Sequence, residues 1–471
     1  MTQMRTKDKT IFDNFELNGI WWLPNEETRY KGTLIYSNEG IILKIIEEHN
    51  PFKGMKLPII LGQTDKGLVT LIDGFVTSAN KTLFTSEGSI NISTIKLVFN
   101  KLILGERYNS LEKVKFNFLL VKFTGLEWWY LANPFTNDYE KGNFNIVLDK
   151  DTITDFNVRV DSLDAYIRSD YIIGETGKMF FNKNLHFTPY IRITSDEPQS
   201  LEWYEKAVWN LKNLLTLLLK SPIQIEILTA NIDNNNFANI YPLRFEDKKD
   251  LNLNWFELEP LSLPSLKVDL DKVFNNWFNS KAKSTQLLYS NTINSEHKMI
   301  VEDVFINFTK AIESFHRDCA EQGTFIDEDR YNSVVEKMIA AAGADITNDL
   351  KSKLQATLKF ANEFGFQRRI KELIKDLPQK LIVEIDILRD RKKFADKVRN
   401  TRDQLTHYSN SNTIVFNTLE MIYVNKLLKI LTMVYLLRDL GIEDEVILDA
   451  IFKDYSNFGV IEKINEVLFL N

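Results

Sequence analysis

The spacing of apolar positions changes along this chain. From about Phe12 to Ile193 they come in short runs that alternate or stay β-branched, and Gly, Asn or Asp closes each run. Gly32-Thr-Leu-Ile-Tyr-Ser, Gly40-Ile-Ile-Leu-Lys-Ile-Ile and Gly67-Leu-Val-Thr-Leu-Ile are the clearest. Such runs predict strands of a twisted antiparallel sheet or sandwich. Trp21-Trp22 and Trp128-Trp129, read as strand residues, put their indoles on opposite faces. One indole of each pair then belongs to the core, and the other lies under a loop or is exposed, where it could bind a ligand.

A longer apolar pattern predicts a helix over 199–219, with Ser195 or Asp196 as cap, Pro198 in the first turn and Ser221-Pro222 as the stop. Ile223 to Leu228 alternates as a strand, Asn231 to Asn236 is a polar loop, and Glu257 to Pro264 carries two prolines. Beyond about residue 270 the period is three and four. Ile300, Val304, Phe308, Ala311, Phe315 and Cys319 form one such stripe, and Phe394, Val398, Thr401 and Leu405 form another. Glu328–Ala342, Thr347–Phe360, Thr413–Leu440 and Asp444–Phe452 predict more helices, and the stretch from Ile414 to Leu437 is apolar nearly all round, as in a central helix or one shared with a partner subunit. The expected fold class is α+β, with a β-rich, sheet- or sandwich-like domain over 1–265 and an all-α helical bundle over 266–471.

Charge and composition narrow the function. The chain has 58 Lys and Arg against 65 Asp and Glu, a net charge of −7, which argues against a general nucleic-acid coating protein. Basic charge is local: Arg368 to Arg402 holds twelve Lys or Arg and six Asp or Glu, which suits either a solvated helix face or contacts to phosphates. Cys319 is the single cysteine, so disulfides cannot staple the fold. The first ten residues carry no apolar signal-peptide core. The most hydrophobic segments, around Leu214 to Leu219 and Leu427 to Leu437, are broken by lysines and fall short of the roughly 20 apolar residues that span a bilayer. A soluble, cytoplasmic protein without membrane contact is expected. His49, His186 and His297 are scattered, no phosphate-cradling Gly-Lys-Ser/Thr loop occurs, and neither a metal nor a cofactor is expected.

The chemistry concentrates in Arg402-Asp403-Gln404-Leu405-Thr406-His407. On a helix Asp403 lies one turn from His407, with Arg402 beside that stripe. A carboxylate there can hold one imidazole nitrogen and leave the other to move protons, while a guanidinium stabilises charge on a phosphate. Arg399, Asp403 and His407 equally form an i, i+4, i+8 row of surface ion pairs, each worth about 0.2–0.5 kcal/mol. Glu313 and Arg317, beside His316, read first as another surface pair.

Arg402 to His407 fits the R-φ-x-x-x-H signature of HEPN domains, in which φ is Asn, Asp or His. Phe394-Ala395-Asp396-Lys397-Val398 before it and Phe360 to Ile370 further upstream resemble, more narrowly, the ApeA group of bacterial antiphage defence proteins. So do Phe15 to Pro24, Gly32-Thr33-Leu34, Gly40 to Leu43 and Phe116 to Trp129 in the first half. Many members carry Asn where this chain has Asp403. The resemblance implies a C-terminal HEPN ribonuclease that cuts RNA, tRNA included, without a metal, leaving 2′,3′-cyclic phosphate and 5′-hydroxyl ends. It implies catalytic roles for Arg402, His407 and Asp403, and the basic stretch around the motif adds expected substrate contacts from Arg399, Lys397 and Arg368. Arg399 stays open as a rival for the phosphate role, and a site-lining Glu313 stays outside the core set. A homodimer, a phage-derived trigger and an N-terminal half that regulates complete that reading. The alternative is a non-catalytic HEPN module for dimerisation or RNA binding with an N-terminal ligand-binding domain.

Overall fold

The computed structural model describes residues 9–47, 49–85, 88–140, 143–178, 182–233, 236–251, 253–342, 346–407, 414–453 and 455–468. It divides into two compact units, Met1–Phe278 and Asn279–Asn471. The first is strand-rich and the second helical, an α+β chain.

In the first unit, β1 (Phe15–Trp22), β2 (Tyr30–Ser37), β3 (Gly40–Glu47), β4 (Leu57–Thr64), β5 (Gly67–Thr85) and β6 (Gly88–Leu104) pair antiparallel in the order β6-β3-β2-β1-β4-β5, and β5 pairs back onto β6. That last pairing closes a barrel. Alternation sets its register: Phe15, Leu17 and Trp21 of β1 point inward with Leu34, Tyr36, Leu43 and Phe99. Trp21 is fully buried and donates its indole N–H to the Gly32 carbonyl at 3.0 Å. It lies flat on Gly62, where an added Cβ would come within 2.3 Å of the ring, so only glycine fits beneath it. Trp22, on the other face, sits under the guanidiniums of Arg29 and Arg107, at 4.4 and 5.5 Å from the ring centre.

The sheet continues from β6 through β14 (Phe237–Pro242), β13 (Ile225–Asn231), β7 (Lys115–Phe123), β12 (Asn182–Ser200), β11 (Ala165–Lys178) and β10 (Asn157–Val160), while β8 (Phe135–Glu140) and β9 (Asn143–Leu148) form a separate hairpin. Two local expectations change here. Trp128-Trp129 is not extended but lies in α1 (Leu126–Tyr130), which starts after Gly125 at φ 77°. The burial contrast survives because neighbours on a helix also diverge: Trp129 is fully buried and Trp128 is 37% exposed. The long helix α2 (Leu201–Leu218) begins later than its expected caps, because β12 resumes pairing with β7 after a bulge between Thr194 and Gln199. Ser200 is the cap, and its hydroxyl accepts the Trp203 N–H. The short helices α3 (Trp255–Leu258) and α4 (Leu263–Leu266) lead to α5 (Leu270–Asn279), whose Trp277 donates to the Asn210 carbonyl of α2 at 2.9 Å.

The second unit comprises α6 (Lys283–Ser295), α7 (Val301–Cys319), α8 (Glu328–Ala342), α9 (Asn348–Leu358), α10 (Phe366–Lys375), α11 (Gln379–Glu384), α12 (Arg391–His407), α13 (Thr418–Asp439), α14 (Asp444–Phe452) and α15 (Tyr455–Val467). The all-round apolar stretch becomes α13, which buries Val424, Leu427, Leu428, Leu431 and Val434 among others. It starts with a capping box between Asn417 and Glu420. Val304, Phe305, Phe308 and Ile312 of α7 complete the core around it.

Candidate active site on the C-terminal bundle

α12 carries the motif and is held by its neighbours through polar contacts. Phe394, Ala395 and Val398 bury its inner face. Thr401 is buried, donates to the Lys397 carbonyl at 2.8 Å and accepts the Phe416 N–H at 3.0 Å, fixing the chain that enters α13. Asn400 reaches the Ile414 carbonyl at 3.3 Å.

Arg402 leaves this helix toward α7 and α10. Its guanidinium lies 2.8 Å from a Glu313 carboxylate oxygen and 4.3 Å from the centre of the Phe366 ring. An ion pair at one edge and an aromatic face beneath restrict the guanidinium plane, while its side chain remains 25% exposed. Glu313 also holds Arg317 at 3.1 Å, and Arg317 pairs in turn with Glu363. Glu363 meets Arg369 at 3.2 Å, and Arg369 donates to Nδ1 of His316 at 3.1 Å and to the Phe364 carbonyl at 2.8 Å. Opposite charges therefore alternate from Arg402 through Glu313, Arg317 and Glu363 to Arg369, which ends the row on the His316 ring. Burial tends to lower the Arg317 pKa, yet the Glu313 and Glu363 carboxylates hold it above its ordinary value. Arg369 is nearly fully buried, and that burial, with Arg317 nearby, lowers its pKa. Burial and the Arg369 charge also lower the pKa of His316.

Asp403 and His407 stand one turn apart and exposed at the C-terminal end of α12. Neither side chain has a hydrogen-bond or ion-pair partner among the described residues, so no contact joins them in this state. A free, solvated imidazole can still exchange protons with a bound substrate. The basic residues differ sharply. Arg399 is 41% exposed and folds back on the Asn400 side chain at 2.8 Å. Lys397, expected among substrate contacts, is buried, lies 2.7 Å from Glu420 and packs over Phe416, so it links α12 to the capping box of α13 rather than facing solvent. Arg368 is half exposed and lies over Phe364 and Phe325 at 3.9 and 4.8 Å. Arg391, Lys392 and Lys393 project from the other end of α12.

Two contacts of Arg402 were not selected from sequence. Glu313 lies 89 positions away (402 − 313), and its pairing with Arg317 already explained it locally. Phe366 has no signal beyond the resemblance of its stretch. Among the described residues no group of three or more His, Cys, Asp or Glu is placed to hold a metal ion, and no helix is long and apolar enough to cross a membrane.

A family model for ApeA N-terminal domain 1 matches residues 16–277, and one for Apea-like HEPN matches residues 306–446, which contain Glu313, Phe366 and the whole motif. No curated protein and no solved structure matches the chain.

Proposed function

The chain belongs to the ApeA-like HEPN proteins, and from that premise we propose that it is an antiphage defence ribonuclease whose C-terminal bundle cuts RNA. The 2′-hydroxyl of a ribose attacks its own 3′-phosphorus, the bond to the 5′-oxygen of the next nucleotide breaks, and a 2′,3′-cyclic phosphate and a 5′-hydroxyl result. Proton balance needs one group to take the 2′-hydroxyl proton and another to supply the leaving oxygen. His407 suits either task, because it is exposed and unencumbered at the helix end. Arg402 carries the phosphate role: its guanidinium is oriented by Glu313 and Phe366 before substrate arrives, and a preorganised charge stabilises developing negative charge better than a mobile one. That orientation is the observation favouring Arg402 over Arg399, whose guanidinium meets, among the described residues, its neighbouring Asn400 and the more distant Asp396.

One bundle supplies a single motif imidazole, so the acid and the base come from two copies of α12 in a homodimer. The solvated basic residues of α12 hold the RNA backbone, and the barrel-bearing N-terminal unit regulates cutting in response to infection. The reaction as written calls on imidazole, guanidinium and the ribose itself.

The test incubates the protein and His407→Ala with total RNA or tRNA in EDTA and maps the ends. Cuts with cyclic-phosphate ends that fall by about two to four decades in the variant are expected, the range for loss of a general acid–base. Equal behaviour of both proteins would leave an RNA-binding or dimerisation module instead.

A further inference from the structure

On the bundle, α7, α10 and the end of α13 line an open cavity of about 540 Å³, a volume suited to a small organic ligand. Phe315 and Tyr435 stack in its wall with ring centres 5.3 Å apart, and Phe364 adds a third aromatic face. Two polar side chains there are only 3% exposed, Tyr435 and His316. The role of the second is fixed. A guanidinium can only donate, so the Arg369 contact makes Nδ1 of His316 the acceptor and leaves the proton on Nε2. Burial keeps Tyr435 a neutral phenol, since it raises the hydroxyl's pKa.

Glu372 lines the same cavity near enough to His316 to act on its charge. The wall thus carries an N–H donor and a carboxylate acceptor, the latter half exposed and 3.9 Å from Arg368, together with aromatic faces. Asp376, Asp439 and Glu321 bring further negative charge, while Arg438 is already engaged by Asp444 at 2.6 Å. Phosphate groups are disfavoured by that balance. A flat heterocycle with adjacent N–H and C=O groups is complementary to it.

We propose that this cavity binds a nucleobase, guanine in preference to others, with Glu372 accepting from the base N1–H and 2-amino groups and His316 Nε2–H donating to O6. Tyr435 and Phe315 supply the apolar wall. The site is separate from the cleavage motif and does not rest on the ribonuclease reading. α10 is common to both places, since Phe366 under Arg402 and Glu372 lie on the same helix.

Calorimetric titration of the full chain with guanosine, 1-methylguanosine and adenosine tests this. Saturable guanosine binding is expected, weakened about tenfold or more by the N1-methyl group, the loss of a charge-assisted hydrogen bond. Glu372→Gln should weaken it to a similar extent. No saturable heat at millimolar guanosine, or equal affinity for guanosine and 1-methylguanosine, would overturn the proposal even if the Glu372 variant misfolds. His407→Ala should bind guanosine as the parent does, whether or not the parent cuts RNA. In that variant, a uridine-rich oligoribonucleotide with one guanine distinguishes two sources: displacement of guanosine by the strand assigns the base to RNA, and no displacement assigns it to free nucleoside.

Discussion

Glu313 is the residue on which the orientation of Arg402 depends. Its carboxylate meets Arg402 at 2.8 Å and Arg317 at 3.1 Å, and it is only 15% exposed, so removing its charge leaves two guanidiniums poorly partnered. Glu313→Gln is expected to destabilise the bundle by about 1–3 kcal/mol, the usual cost of an unsatisfied charged partner. Cleavage in the same variant should fall more in kcat than in KM, by about ten- to a hundredfold, because a loosened guanidinium loses transition-state contacts first. Thermal denaturation and steady-state kinetics check the two effects separately. A fall in stability with unchanged kcat would return Glu313 to the role of a surface ion pair, the reading its sequence position first suggested. That position could not show more, because an i, i+4 neighbour accounts for the charge locally and nothing nearby points to a helix 89 positions on.

At the level of the element, α12 separates into a packing half and a solvent half, and neighbouring basic residues fall on different sides. Lys397 is 9% exposed and bound to Glu420, whereas Arg399 is 41% exposed. Lys397→Ala should therefore lower stability by about 1–3 kcal/mol, since Glu420 loses its cation but keeps the Asn417 N–H of the capping box. Arg399→Ala should leave the melting temperature nearly unchanged and make RNA affinity less salt-dependent. Melting curves and binding at two salt concentrations decide it. Element existence was largely legible: the glycine-started runs became β2, β3 and β5, and Glu328–Ala342 became α8 with the expected ends. What was hidden depended on partners distant in sequence. Trp128-Trp129 looks like strand until the left-handed Gly125 starts a turn of helix, and the true cap of α2 is set by β7 pairing with β12 beyond a bulge. The Lys397 charge likewise looks solvated until Glu420 is brought to it.

Across the whole molecule, the motif was readable as a set of groups, but its completeness was not. One copy of the bundle offers one Arg402 and one His407, and a groove shared by two copies would hold a pair of each. Mixing the parent with an excess of His407→Ala under conditions that exchange subunits should silence the parent's RNA cutting, because a mixed dimer holds one imidazole where the reaction needs two. Gel analysis of the mixture against the parent alone checks this, and cutting that merely scales with the parent's share despite proven exchange would place acid and base within one copy. The large sheet constrains how copies can associate. β5 returns to β6 at one end, and at the other end the sheet stops at the four-residue strand β10. β10 covers only Ala165–Arg168 of β11, so the remainder of that strand to Lys178 is an edge that an incoming strand can extend. Edge-to-edge strand addition in this sheet therefore has its opening along the far half of β11, and fibrous deposits formed in a crowded cell would be seeded from that margin.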